Sequence, residues 1–175
     1  MMEYLKETQM LDYSHPNIQK LIYDKQWKQM NEFNRIQAIY NYVRDEILFG
    51  YNSDDYISAS KVLADGYGQC NTKGTLFMAL LRACDISCRI HGFTIDKKLQ
   101  RGAMTGIVYH SAPKNILHSW VEVYLENRWY ELEGFILDKA YLKQLQNRFT
   151  KCTGPFCGYG IAVKNFKHPI IDFNR

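Results

Sequence analysis

Proline is scarce, four in 175 residues, and no serine- or glycine-rich stretch interrupts the chain. Nothing therefore marks an internal linker or a repeat, and one domain over 1–175 is expected. No apolar run approaches the ~18–20 residues that a membrane helix needs. The opening Met1-Met2-Glu3-Tyr4-Leu5-Lys6-Glu7 lacks the basic and apolar regions of a secretory signal, so a cytoplasmic protein with no membrane partner is expected. Charge of one sign is also in short supply. Twenty-two Lys/Arg against 18 Asp/Glu leave +4, scattered without a basic arm or stripe, and no nucleic-acid partner is expected. Cys152 and Cys157, with His168, lack a second pair at zinc spacing, and no glycine-rich phosphate loop occurs; neither metal nor cofactor is expected. Five cysteines cannot all pair internally, so each is read as a small buried apolar residue or as a reactive thiol.

What is present is globular: 46% apolar, 23% charged and 14% aromatic residues, the last favouring substantial sheet. The first third reads helical. Ser14-His15-Pro16-Asn17 has the form of a helix start, and Phe33, Ile36, Ile39, Tyr40, Val43 and Ile47 recur at spacings of three and four, predicting a helix over 32–48 ended by Gly50 and Asn52. Residues 52–69 read as loop. A helix apolar nearly all round, hence buried, follows over 70–83. From Ser87 the pattern changes to strands at 88–95, 107–109, 118–125 and 128–133, with Glu126-Asn127 as a hairpin turn. A short helix at 141–149 and a strand near 159–163 complete the chain. Helices first and antiparallel strands after make an α+β domain.

Chemistry concentrates at Cys70. It stands between the glycine-rich turn Asp65-Gly66-Tyr67-Gly68-Gln69 and the buried helix. Helix N-termini leave N–H groups unpaired and carry partial positive charge, which favours a thiolate and can bind an oxyanion. The bland alternative is a small residue filling space. Cys84 and Cys88 lie at or beyond the other end of the helix, where the dipole disfavours a thiolate, and read as core. A nucleophilic cysteine needs a base and a group to orient it. Of five histidines, His118 opens the clearest strand. With a two-residue turn at 126–127, Leu125 faces Arg128, Tyr124 faces Trp129 and Trp120 faces Glu133. His118 and Glu133 are then diagonal neighbours on one face, ~7 Å apart or less, while Val121, Val123, Leu125, Tyr130 and Leu132 pack on the other. The same register sets Glu122 opposite Glu131. Taken singly, His118 also fits a structural histidine and Glu133 a solvated strand carboxylate.

Together these blocks resemble the transglutaminase-like superfamily. Asp65-Gly66-Tyr67-Gly68-Gln69-Cys70 with its small-residue helix through Ala79-Leu80-Leu81-Arg82-Ala83 is similar to the family's cysteine motif, and Asp85-Ile86-Ser87-Cys88-Arg89 to its sequel. His118-Ser119-Trp120-Val121-Glu122-Val123 resembles the histidine strand, Trp129-Tyr130-Glu131-Leu132-Glu133 the strand ending in the acid, and Tyr42-Val43-Arg44-Asp45-Glu46-Ile47 the preceding helix. The resemblance covers about 15–138, leaving 139–175 as an extension. It implies a papain-like core, a cysteine-bearing helix on an antiparallel sheet, with Cys70 as nucleophile, His118 as base and Glu133 as the third member, where the family more often has Asp. It further implies acyl transfer on an amide or peptide carbonyl through a thioester: hydrolysis as in a protease or amidase, transamidation by an amine, or a peptide-binding module without catalysis. The chain looks like the small bacterial members, without the added β domains of calcium-dependent transglutaminases, so calcium is not expected. The implied partner is a peptide or protein carrying an amide.

Overall fold

In the computed structural model, which describes residues 2–173, helices come first and the main sheet follows. Helix α1 (Pro16–Lys25) starts where its turn predicts. His15 Nδ1 accepts the Asn17 N–H at 3.2 Å, and Pro16 fills a first-turn position that needs no donor. Asn31 caps α2 (Glu32–Asp45) by accepting the Asn34 N–H at 2.9 Å, and Ile36, Ile39, Tyr40 and Val43 turn into the core. This helix stops short of the predicted 48. Leu48–Phe49 (β1) goes extended and pairs in parallel with Tyr67–Gly68 (β2), so the backbone bonds that would prolong the helix are spent on a strand. The stretch expected to be loop contains a helix, α3 (Ala59–Asp65), capped by Ser58 and closed by Gly66 at φ 72°.

Helix α4 (Cys70–Ala83) has the predicted bounds and is buried on nearly every side. It packs on a three-stranded antiparallel sheet of order β3-β4-β5, formed by Cys88–Asp96, Asn115–Leu125 and Arg128–Leu132. The β4–β5 register is the expected one: Leu125 faces Arg128, Tyr124 faces Trp129 and Glu122 faces Glu131. Glu126 and Asn127 both have positive φ, 51° and 65°, as a tight two-residue hairpin turn requires. The like-charge pair is tolerated because Glu122 is buried beside β3, where Arg89 Nε donates to it at 2.5 Å and His91 Nδ1 lies at 3.3 Å. Burial pushes its carboxyl up, and the Arg89 guanidinium outweighs this and holds it below the ordinary range. Val121, Val123, Leu125 and Leu132 form the buried face.

Residues 107–109 are not a strand. They lie in α5 (Gly106–Ser111), on an excursion between β3 and β4, with Ile107 and Val108 in solvent; strand-forming side chains here have no neighbouring strand to join. Helix α6 (Lys139–Arg148) begins two residues before its predicted start because Asp138 caps it, accepting the Tyr141 N–H at 2.7 Å. The predicted strand near 159–163 is a hairpin, β6 (Phe156–Gly158) and β7 (Ile161–Val163), turning through Tyr159 and Gly160 at positive φ. The tail then returns to α2. Buried Arg44 donates to Ile171 O at 3.0 Å and Asp172 Oδ1 at 2.7 Å, and Tyr40 Oη donates to Ile171 O at 2.7 Å.

Candidate active site

The approach to Cys70 is built by a glycine and a polar frame. A Cβ on Gly68 would stand 2.6 Å from Thr72 Oγ1 and 3.0 Å from Lys73 Cγ, so only glycine lets the turn lie against the first turn of α4. Thr72 Oγ1 accepts the Gln69 N–H at 3.0 Å and donates to Asn52 Oδ1 at 2.7 Å. Gln69 Oε1 accepts the Asn52 N–H at 3.1 Å, and Gln69 Nε2 donates to Asp55. These bonds bind the 50–58 loop to the helix start. One turn further, buried Lys73 donates to the carbonyls of Arg44 at 3.1 Å and Ile47 at 2.7 Å, fixing the helix against the end of α2. Burial pushes its amine down to about 7.

Cys70 is 8% exposed at the first position of α4. Its Sγ donates to Asn71 Oδ1 at 3.6 Å. His118, 4% exposed on β4, has its Nε2 2.6 Å from Glu133 Oε1, just past β5, and its ring stands nearly perpendicular to that of Phe93 of β3, 5.2 Å between centroids. A carboxylate only accepts, so Nε2 carries the hydrogen in this pair. The other ring nitrogen, Nδ1, is buried with no hydrogen-bond partner. Burial drives the ring toward neutrality; Cys70 and Glu133 outweigh it and raise the imidazole to about 9. The sequence therefore selected three residues that the fold brings to one place: Glu133 on His118, and Cys70 within electrostatic reach of the same ring.

Of two cavities, one borders this line and the other is lined by none of its three residues. One, of about 240 Å³, is bordered by His118, Glu133, Leu99, Gly134 and Ile171. The other, of about 490 Å³, has aromatic walls from Phe49, Tyr51, Tyr141 and Tyr159. Tyr51 sits near enough to Cys70 to feel its charge; burial first, then Tyr141 and Cys70, push its phenol up to about 12.

The remaining cysteines lie elsewhere. Burial pushes the Cys84 thiol up to about 11 and the Cys88 thiol to about 12, in keeping with core residues. Cys152 is partly exposed and Cys157 exposed. Among the described residues no group of three or more His, Cys, Asp or Glu side chains is placed to hold a metal ion, and no helix is long and apolar enough to cross a membrane. Sequence reasoning missed Asp55, Asn71 and Ser119, which hold the site from behind: Asn71 Nδ2 donates to Asp55 Oδ2 at 3.0 Å and Ser119 Oγ donates to Asn71 Oδ1 at 2.8 Å. The available signal was adjacency, Asn71 following Cys70 and Ser119 following His118.

A family model, the transglutaminase-like superfamily, matches residues 20–134. The uncharacterized protein YebA of Bacillus subtilis (strain 168) is 26% identical over 113 residues, which is 59% of this chain and 15% of YebA. Among solved structures, a candidate cysteine protease from Cytophaga hutchinsonii superposes with a TM-score of 0.59 at 20% identity, covering 79% of this chain and 43% of that one. The periplasmic domain of TgpA from Pseudomonas aeruginosa, bound to ethylmercury, gives 0.50 at 15% identity, covering 75% and 47%. The chain thus spans less than half the length of each of these proteins. At such identities the two structures speak for the fold. Matched by the family model from within α1 to the turn after β5, and sharing its fold with both solved structures, the chain belongs to the transglutaminase-like superfamily.

Proposed function

We propose that this chain transfers acyl groups from amide or peptide carbonyls to water through a thioester on Cys70. The observation that carries this reading is the state of His118. Glu133 grips Nε2 at 2.6 Å, while Nδ1 is left buried and unpartnered near a thiol at a helix N-terminus. In the first half-reaction the Cys70 thiolate attacks the carbonyl carbon, and the C=O π pair moves onto oxygen. The backbone N–H of Cys70, unpaired at the helix start, stabilises that oxyanion. The intermediate collapses with cleavage of the C–N bond, and His118 Nδ1–H protonates the leaving nitrogen. In the second half, Nδ1 takes a proton from water, the new oxygen nucleophile attacks the thioester, and the C–S bond breaks to restore the thiolate. Glu133 holds the ring in one tautomer and stabilises the imidazolium, as the acid does in the serine-protease triad.

Water is favoured as acceptor because the base lies beside solvent: the Glu133 side chain is 58% exposed and a cavity borders it and His118. The substrate is a peptide or protein. Intact protein treated with a panel of acyl-donor probes and mapped by mass spectrometry tests the reading. The expected result is an acyl adduct on Cys70 that water discharges and that Cys70→Ala lacks. Discharge only by added amine would make the protein a transglutaminase instead. Absence of any adduct on Cys70 would leave a peptide-binding module.

A further inference from the structure

The Cys70 thiol, whose interaction raises His118, also has an acceptor outside the Cys70–His118–Glu133 line. Sγ donates to Asn71 Oδ1 at 3.6 Å, while His118 Nδ1, inside a residue only 4% exposed, has no partner. The orientation of the Asn71 amide is not free. Its Nδ2 donates to the Asp55 carboxylate, an acceptor-only group, at 3.0 Å, which turns Oδ1 toward Ser119 and Cys70. Ser119 lies one residue along β4 from His118, so the base and the residue that braces its competitor share a strand.

We propose that Asn71 is a positioning residue that competes with His118 for the Cys70 proton and thereby sets how much of the thiolate–imidazolium pair is present before substrate arrives. This rests on the proposed role of Cys70 as nucleophile. With the proton on sulfur, S–H points to Asn71 Oδ1. With the proton moved to Nδ1, the thiolate faces the imidazolium, and an amide oxygen beside it repels the new negative charge. Asp55 and Ser119 hold that oxygen in place, so the bias toward the thiol is built into the frame. The titratable groups facing the thiol from neighbouring elements are His118 on β4, Glu133 behind it and Tyr51 after β1, with Asp55 reaching it through Asn71. Lys73 on α4 itself turns away to the Arg44 and Ile47 carbonyls.

The test is the pH–rate profile of Cys70 alkylation by iodoacetamide, followed by mass spectrometry and independent of any substrate. In Asn71→Ala the rate at neutral pH is expected to rise about fivefold with the high-pH plateau unchanged. That corresponds to about 1 kcal/mol, the worth of one neutral hydrogen bond. If Asn71→Ala does not fold, Asn71→Ser, whose hydroxyl is too short to reach the thiol, should give the same rise. Ser119→Ala leaves Oδ1 aimed by the Asp55 bond to Nδ2 and should give a smaller rise than Asn71→Ala. An unmoved profile in a folded Asn71 variant overturns the proposal. So does an equal rise in Ser119→Ala, which would make the effect one of packing. Failure of the nucleophile assignment looks different: Cys70 would then be unreactive at neutral pH in the unaltered protein.

Discussion

Glu133→Gln keeps the length of the side chain and removes its charge, so it isolates what the carboxylate does for His118. The imidazole stands at about 9 against an ordinary 6.5, a balance in which burial lowers it and Cys70 and Glu133 raise it. A charge pair ~4 Å apart is worth ~1 kcal/mol in water and ~4 kcal/mol at an effective dielectric constant of ~20. Glu133 is 58% exposed, so solvent screens it and its share falls toward the lower figure, ~1–2 kcal/mol. At ~1.4 kcal/mol per pH unit, the midpoint of His118 should drop by about one unit in the variant. The sign of the stability effect follows. A histidine raised in the folded state contributes stability that is complete below its ordinary 6.5 and lost as pH rises through about 9. Glu133→Gln should therefore cost most in acid, with the two proteins converging in alkali. NMR titration of the His118 ring proton and denaturant melts at pH ~6 and ~10 measure both. An unmoved midpoint, or an equal loss of stability at the two pH values, would refute the reasoning.

Three other outcomes are expected. Limiting alkylation at neutral pH should label Cys70 before Cys84, Cys88, Cys152 or Cys157, read by peptide mapping; the buried thiols of Cys84 and Cys88 are pushed up to about 11 and 12 and should react only on unfolding. Cys70→Ala should abolish turnover on any substrate the unaltered protein accepts, because no other group forms the thioester, while Glu133→Gln should slow it without abolishing it. Gly68→Ala should lower stability by ~1–3 kcal/mol in a thermal or denaturant melt, since its Cβ would press on Thr72 Oγ1 and Lys73 and push the start of α4 off its frame.

The parts legible in the sequence were those whose signal is local and repeated. Helix α4 is apolar on nearly all sides and announced by two glycines, and the β4–β5 hairpin is fixed by a two-residue turn that leaves no freedom of register. Those two features bring Cys70, His118 and Glu133 together. Short elements were not legible. Helix α3 buries only Ala59 and Val62, too little for a period to appear. Ile107 and Val108 belong to strand-forming residue types, yet they stand exposed on a six-residue helix. The end of α2 was overrun because Leu48–Phe49 continues its apolar spacing while bonding to β2. The frame of Asp55, Asn71 and Ser119 draws on three elements; adjacency to Cys70 and His118 hints at Asn71 and Ser119, but no spacing along the chain points to Asp55.

The returning tail makes the acid's position a long-range property of the molecule. Gly134, next to Glu133, is wedged between Tyr40 and Ile171: a Cβ there would lie 2.4 Å from Tyr40 Oη and 2.9 Å from Ile171 O. The Tyr40 and Arg44 bonds to Ile171 and Asp172 close that wedge. The 171–173 segment thus acts as a set-screw on the turn that carries Glu133. A change at Ile171 therefore reaches the carboxylate that aims at His118 through Tyr40 and Gly134, far from it along the chain.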